Sequence, residues 1–151
     1  MRTMNRRNFL ALAGAGSVAA ATSVGADILS PRTAGAYNFR AVAALPTDRR
    51  FPEWGSYVVE GYVNPATRSG SISRVVYAGA PDAMSRIALH SHLARVVAVR
   101  RQGSLLHVKA MVDDRSRLMR GESPRVHMTI DTRRHRLWTE FYSSRVTLTL
   151  E

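Results

Sequence analysis

A two-residue rhythm constrains this chain more than any other feature. Val126, Met128 and Ile130 alternate with Arg125, His127, Thr129 and Asp131, and Val146, Leu148 and Leu150 alternate with Arg145, Thr147, Thr149 and Glu151. Between 105 and 113, Leu106, Val108, Ala110 and Val112 stand against His107, Lys109 and Asp113. Successive side chains of an extended strand point to opposite faces, so this pattern puts one face into a core and the other into water. Five further runs, 38–45, 56–64, 71–78, 93–100 and 135–142, are rich in Val, Tyr, Phe and Trp and read as strands. Ser69-Gly70, Gln102-Gly103 and Ser143-Ser144 lie between runs at hairpin distances, which makes consecutive antiparallel pairing the economical topology. A helix competes only from Pro81 to Leu89, where Met84, Ile87 and Ala88 have i, i+3, i+4 spacing behind a first-turn proline. The expectation is all-β: an antiparallel sandwich or small barrel of about seven to eight strands, with at most one short helix.

The N-terminus follows a different logic. Asn5-Arg6-Arg7-Asn8-Phe9-Leu10-Ala11 carries basic charge with no acid before Asp27, and Phe9 to Ala21 is apolar and rich in small residues. A basic head, a hydrophobic middle and small residues at a cleavage point make a signal peptide. Paired Arg6 and Arg7 followed at the right spacing by Phe9 and Leu10 make it resemble a twin-arginine signal, with Asn5 and Ala11 as departures from the usual pattern. The competing reading, a membrane anchor, needs about 20 predominantly apolar residues. Gly14, Gly16, Ser17, Thr22 and Ser23 dilute this segment. Cleavage is expected after Ala26, with Ala36 as the alternative; 27–37 then forms a flexible lead-in to one domain over 38–151. The resemblance implies the twin-arginine export machinery as a partner, a secreted or cell-envelope location, and no stable membrane insertion after cleavage.

Cutting after Ala26 or Ala36 leaves 125 or 115 of the 151 residues, one domain's worth and enough to bury about two-thirds of its unfolded surface. It must fold without staples, because the chain has no cysteine. Disulfides, thiolate metal sites, a cysteine nucleophile and a lipid anchor on cysteine are excluded. The formal charge of +11 falls to +8 once Arg2, Arg6 and Arg7 are removed. A concentrated positive field attracts polyanions, but only Lys109 among the 22 basic residues is lysine, a bias that codon usage also produces. Clustering therefore says more than the total. Arg115, Arg117, Arg120, Arg125, Arg133, Arg134 and Arg136 face only Glu122 and Asp131 between positions 115 and 136. Arg115, Arg117 and Arg120 precede the strand 125–131, and Arg133, Arg134 and Arg136 follow it. A seven-residue strand of about 23 Å would split them into two groups. They are the candidate anion-binding residues, and solvated loops are the competing reading.

Chemistry is otherwise sparse. His90 and His92 share one strand face, which the reading turns outward, away from Ile87, Leu89 and Leu93; His107 and His127 also fall on polar faces. With Met111 and Met128 nearby in sequence, these imidazoles are candidates for copper or zinc, against the reading as scattered surface histidines with no metal. Asp113-Asp114 suits a turn or an arginine partner better than a cooperating acid pair. No nucleophile elbow, phosphate-cradling loop or dinucleotide fingerprint is present. Trp54, Tyr57, Tyr62, Tyr77, Trp138, Phe141 and Tyr142 would line a ligand cup or pack a core. The expectation is a non-enzymatic exported domain without a cofactor, its basic loops meeting an anionic cell-envelope polymer or an acidic protein rather than nucleic acid. A small-ligand carrier of barrel type and a histidine-based metal-binding accessory protein are the alternatives.

Overall fold

The computed structural model describes residues 35–46, 53–83, 85, 87–142 and 144–151. Arg6, Arg7, Phe9 and Leu10, and both expected cleavage segments up to residue 34, lie outside them. Eight strands form: β1 (Tyr37–Pro46), β2 (Trp54–Asn64), β3 (Ser69–Ala78), β4 (Ala88–Gln102), β5 (Leu105–Val112), β6 (Arg125–Asp131), β7 (Arg136–Phe141) and β8 (Ser144–Leu150). Each pairs antiparallel with the next, and β1 pairs with β8, so the sheet closes into a barrel. Of the two expected architectures, the barrel forms. Among the described residues no helix is long and apolar enough to cross a membrane.

The alternating residues fill the barrel. Leu106, Val108, Ala110, Val126, Met128, Ile130, Leu137 and Leu148 are buried together with Phe39, Ala41, Val59, Val63 and Ile72. An eight-stranded barrel is just wide enough for side chains to fill. β4 needs a correction of register to do this over fifteen residues. Its ladder to β5 shifts between Val96 and Ala98, which leaves Val97 outward and lets both Val96 and Val99 face the core. Between β2 and β3 the backbones approach closely: a Cβ on Gly61 would lie 2.1 Å from the Ser71 carbonyl oxygen, and one on Gly70 would lie 2.2 Å from that of Tyr62.

The helix that competes over 81–89 is not the conformation adopted. Pro81–Ala83 makes a single 3-10 turn, and Ala88 and Leu89 belong to β4. The physical reason is that Ile87 and Leu89 stay exposed, so a helix would gain little burial from them, whereas extension pairs the backbone with β3, beginning at the Ala78 amide to the Ile87 carbonyl. Ser69-Gly70 is not a turn either, but the start of β3.

The two ends of the barrel differ. At one end the connections are tight: 65–68, 103–104 and 132–135. Two of them use one device. Asn64 Oδ1 accepts from the amides of Ala66 and Thr67, and Asp131 Oδ1 accepts from those of Arg133 and Arg134. Four residues after each, Arg68 and His135 adopt positive φ before the next strand. At the other end lie the long connections 79–87 and 113–124. The closure is the weakest pairing, with two register pairs, Ala41↔Leu150 and Val42↔Thr149. A depression of about 470 Å³ lies outside it, against Val42, Ala44, Thr147, Thr149 and Pro81.

Candidate metal centre at the loop end of the barrel

At the end with the long connections, the interior changes from apolar to charged. His90 and His92 of β4 point inward with Ala94 and Val96, and the ladder sets His92 opposite Arg74 of β3. This corrects the expected outward orientation. The apolar side chains of Leu89 and Leu93 make the other face look like the core, but they are exposed, and small Ala94 is fully buried.

The third group comes from the 113–124 connection. Asp114 caps the 3-10 turn Arg115–Arg117 by accepting from the Ser116 amide and hydroxyl. The chain then turns through Gly121 at φ 86°, with the Glu122 amide donating to the Met119 carbonyl. The Glu122 side chain thereby dips over the barrel mouth. His92 Nε2 lies 2.6 Å from its Oε1 and His90 Nε2 lies 2.9 Å from its Oε2, which also accepts from the Met119 amide. The Glu122 and His92 side chains are each 2% exposed. The two imidazoles meet edge to face at 4.4 Å.

Arg74 completes the cluster. Its Nη1 lies 3.9 Å from Glu122 Oε1, its Nε donates to the Tyr57 hydroxyl at 2.6 Å, and its Nη2 donates to the Glu140 carbonyl across the barrel. Tyr57 packs on Phe141, which packs on Tyr142. A buried cation thus sits beside a buried carboxylate, each with further hydrogen bonds, which is what burial of charge requires.

Protonation follows from these surroundings. Burial pushes the Glu122 carboxyl up, but the hydrogen bond from His90, the His92 charge, the Met119 amide and the His92 hydrogen bond outweigh it and hold the group below the ordinary carboxylate range. Burial lowers the His92 imidazole; Glu122 opposes this, while Arg74 and His90 reinforce it. Among the described residues the buried Nδ1 of His92 has no hydrogen-bond partner, so the neutral ring carries its proton on Nε2 and donates to Glu122. Burial also raises the Tyr57 phenol, against the pull of Arg74, and keeps it protonated.

Two imidazole nitrogens and a carboxylate oxygen within 4.8 Å of one another form a three-donor set of nitrogen and oxygen. Zinc takes such ligands at about 2.0–2.2 Å, which places neighbouring donor atoms roughly 3 to 3.5 Å apart. The two histidine–carboxylate contacts need to open by less than about 1 Å to reach that spacing. His92 can also move its proton to the vacant Nδ1 and free Nε2 as a ligand. Met111 cannot join, because it faces out of the barrel against Arg115, and Met128 lies in the packed core.

The remaining candidates are dispersed. Arg115, Arg117 and Arg120 are exposed on the 113–124 connection, and Arg133, Arg134 and Arg136 are exposed at the opposite end, on either side of β6. His107 and His127 face outward from β5 and β6. Asp113 lies 3.9 Å from Arg95. Arg74 and Glu122 escaped the sequence reading. For Arg74 a signal existed: a charge at an inward position of the run Ile72, Arg74, Val76. No protein-family model, curated protein or solved structure matches the chain.

Proposed function

We propose that this is an exported β-barrel protein that binds a first-row transition-metal ion through His90, His92 and Glu122. The observation that carries the reading is the convergence of the three donors at one buried mouth of the barrel. Imidazole with carboxylate suits zinc, copper(II) and iron(II) rather than calcium or magnesium.

Three protein ligands leave coordination positions for a further group. Before an ion enters, Arg74 and Glu122 balance each other, and a divalent ion makes the mouth strongly positive. That charge favours an anionic fourth ligand, and the Arg74 guanidinium adds to it. The bound ion would supply Lewis acidity; Tyr57 and Glu140 hold Arg74, and the 113–124 connection delivers Glu122. The paired Arg6 and Arg7 with Phe9 and Leu10 support delivery of this domain across the membrane as a folded unit.

The test is metal uptake by residues 37–151 after stripping with a chelator. Titration with zinc(II), copper(II) and cobalt(II), read by calorimetry and by the cobalt visible spectrum, should give one site per chain. His90→Ala, His92→Ala and Glu122→Gln should each abolish it, while His107→Ala should not. Failure of the stripped protein to take up any of the three ions, or equal uptake by the Glu122→Gln variant, would overturn the proposal.

A further inference from the structure

A second concavity, of about 780 Å³, lies on the outer surface of β4 to β8. It is a sheet face rather than a loop cluster. The ladders align Arg100, His107, Thr129 and Trp138 across four strands, and beside them Lys109 with His127 and Glu140 with Arg145. Arg100, Lys109 and Arg145 are exposed, against the single carboxylate of Glu140. Among the described residues, none of these three cations has a carboxylate within 4.0 Å, whereas Arg134 at the turn end sits 3.9 Å from Asp131.

Trp138 gives the face its second character. It points away from the core, opposite inward Leu137 and Thr139, and lies half-buried in the floor of the groove. The Arg145 guanidinium is stacked 5.9 Å from its ring centroid, held in place without being neutralised. An outward indole adds nothing to the core and costs hydrophobic exposure. Its flat surface, between cations, suits a ligand with one apolar face and negative substituents.

We infer that this face binds an acidic polysaccharide, with a sugar ring on Trp138 and its carboxylates or sulfates on Lys109, Arg145 and Arg100. Followed along the curved sheet, the path from β4 to β8 is about 19 Å at the usual strand spacing, and the one concavity touches all five strands. A single-stranded nucleic acid is the competing polyanion, but sites for it present a succession of aromatic platforms for successive bases, and here Trp138 is accompanied only by the smaller rings of His107 and His127 among the described lining residues. Anion recognition then belongs to the sheet face rather than to the arginine loops. It is independent of the metal centre, which opens into the barrel rather than onto this face.

The experiment measures binding of residues 37–151 to heparin and to polygalacturonate by calorimetry at several salt concentrations, with neutral dextran and oligo(dT) as comparisons. Affinity for both acidic glycans should fall steeply with salt, and dextran should not bind. The pair Lys109→Glu and Arg145→Glu should weaken binding at least tenfold, and Trp138→Ala should weaken it severalfold with Trp138→Phe recovering part of the loss. The pair Arg133→Glu and Arg134→Glu should change it less than twofold. Circular dichroism establishes that each variant is folded, and the Lys109 and Arg145 substitutions, being fully on the surface, keep the test decisive if Trp138→Ala unfolds. Equal losses from the loop pair and the groove pair, or oligo(dT) binding as tightly as heparin, would overturn the inference.

Discussion

Replacing Glu122 with glutamine keeps the size of the side chain and removes its charge, so the response isolates the electrostatics of the barrel mouth. Arg74 Nη1 lies 3.9 Å from the carboxylate, and the two side chains are 4% and 2% exposed. Two unit charges at about 4 Å interact by about 4 kcal/mol at an effective dielectric of about 20. Removing one partner of a buried pair costs about 3–5 kcal/mol, because the other charge is left uncompensated. Glutamine also turns an amide donor toward one of the two imidazole N–H groups that Glu122 accepts. Any rearrangement of the largely exposed 113–124 connection that lets water reach Arg74 would offset part of this. The expected net loss is about 3 kcal/mol. For a domain near 115 residues that is a fall in Tm of roughly 10 °C. Urea denaturation followed by circular dichroism should show a lower midpoint with an unchanged slope. Arg74→Met should cost a similar amount, and the double variant should be less destabilised than the sum of the two by about 2 kcal/mol. Losses that add to within about 0.5 kcal/mol would refute the coupling between Arg74 and Glu122.

Acid should destabilise the domain in two stages. Below about pH 6.5 the unfolded chain takes up a proton that buried His92 resists, so stability falls as pH drops toward the lowered folded value. Below the ordinary carboxylate range the unfolded Glu122 protonates while the folded one stays ionised, so stability falls again as pH descends through its depressed value; a Tm–pH profile in which His92→Leu retains the first stage would contradict the assignment. Gly61→Ala should cost about 3 kcal/mol or more, because its Cβ meets the Ser71 carbonyl at 2.1 Å, while Gly103→Ala, whose Cβ meets nothing, should cost about 1 kcal/mol for its positive φ; equal melting temperatures for the two variants would remove the role given to close β2–β3 approach. Changing Arg6 and Arg7 to lysine should abolish export in a host competent for twin-arginine translocation, and efficient export of that variant would end the signal reading.

Strand parity was legible wherever large apolar residues share one face, as in Val126, Met128 and Ile130. It failed at the start of β4, where the buried positions are His90, His92 and Ala94 while Leu89 and Leu93 face water. Hydrophobicity there points the wrong way, because the charged mouth of the barrel reverses the usual relation between polarity and exposure. Arg74 was readable as a charge at a core position, and Glu122 was not, since only the path of the 113–124 connection brings a loop residue thirty positions from His92 onto the imidazoles. The turns show the same division. Gln102-Gly103 carries a recognisable turn signal, while 65–68 and 132–135 are formed by Asx side chains capping amides two and three residues on, with arginine or histidine rather than glycine at the positive-φ position.

The two-pair closure between β1 and β8 has a consequence for the order in which the molecule assembles. Every other pairing joins neighbours in the chain, so hairpins can form and add one at a time, but Ala41 and Leu150 meet only by closing a loop of 109 residues (150 − 41). Loop entropy makes that pairing the last and the slowest. Until it forms, the rolled sheet carries two open edges whose amides and carbonyls are ready for a strand of either the same chain or another copy. High concentration therefore favours exchange of terminal strands between molecules, and dilution favours the closed monomer. In the closed molecule the same short ladder is the place where the barrel opens most easily, so the fold's least-protected core residues are those its chain brings together last.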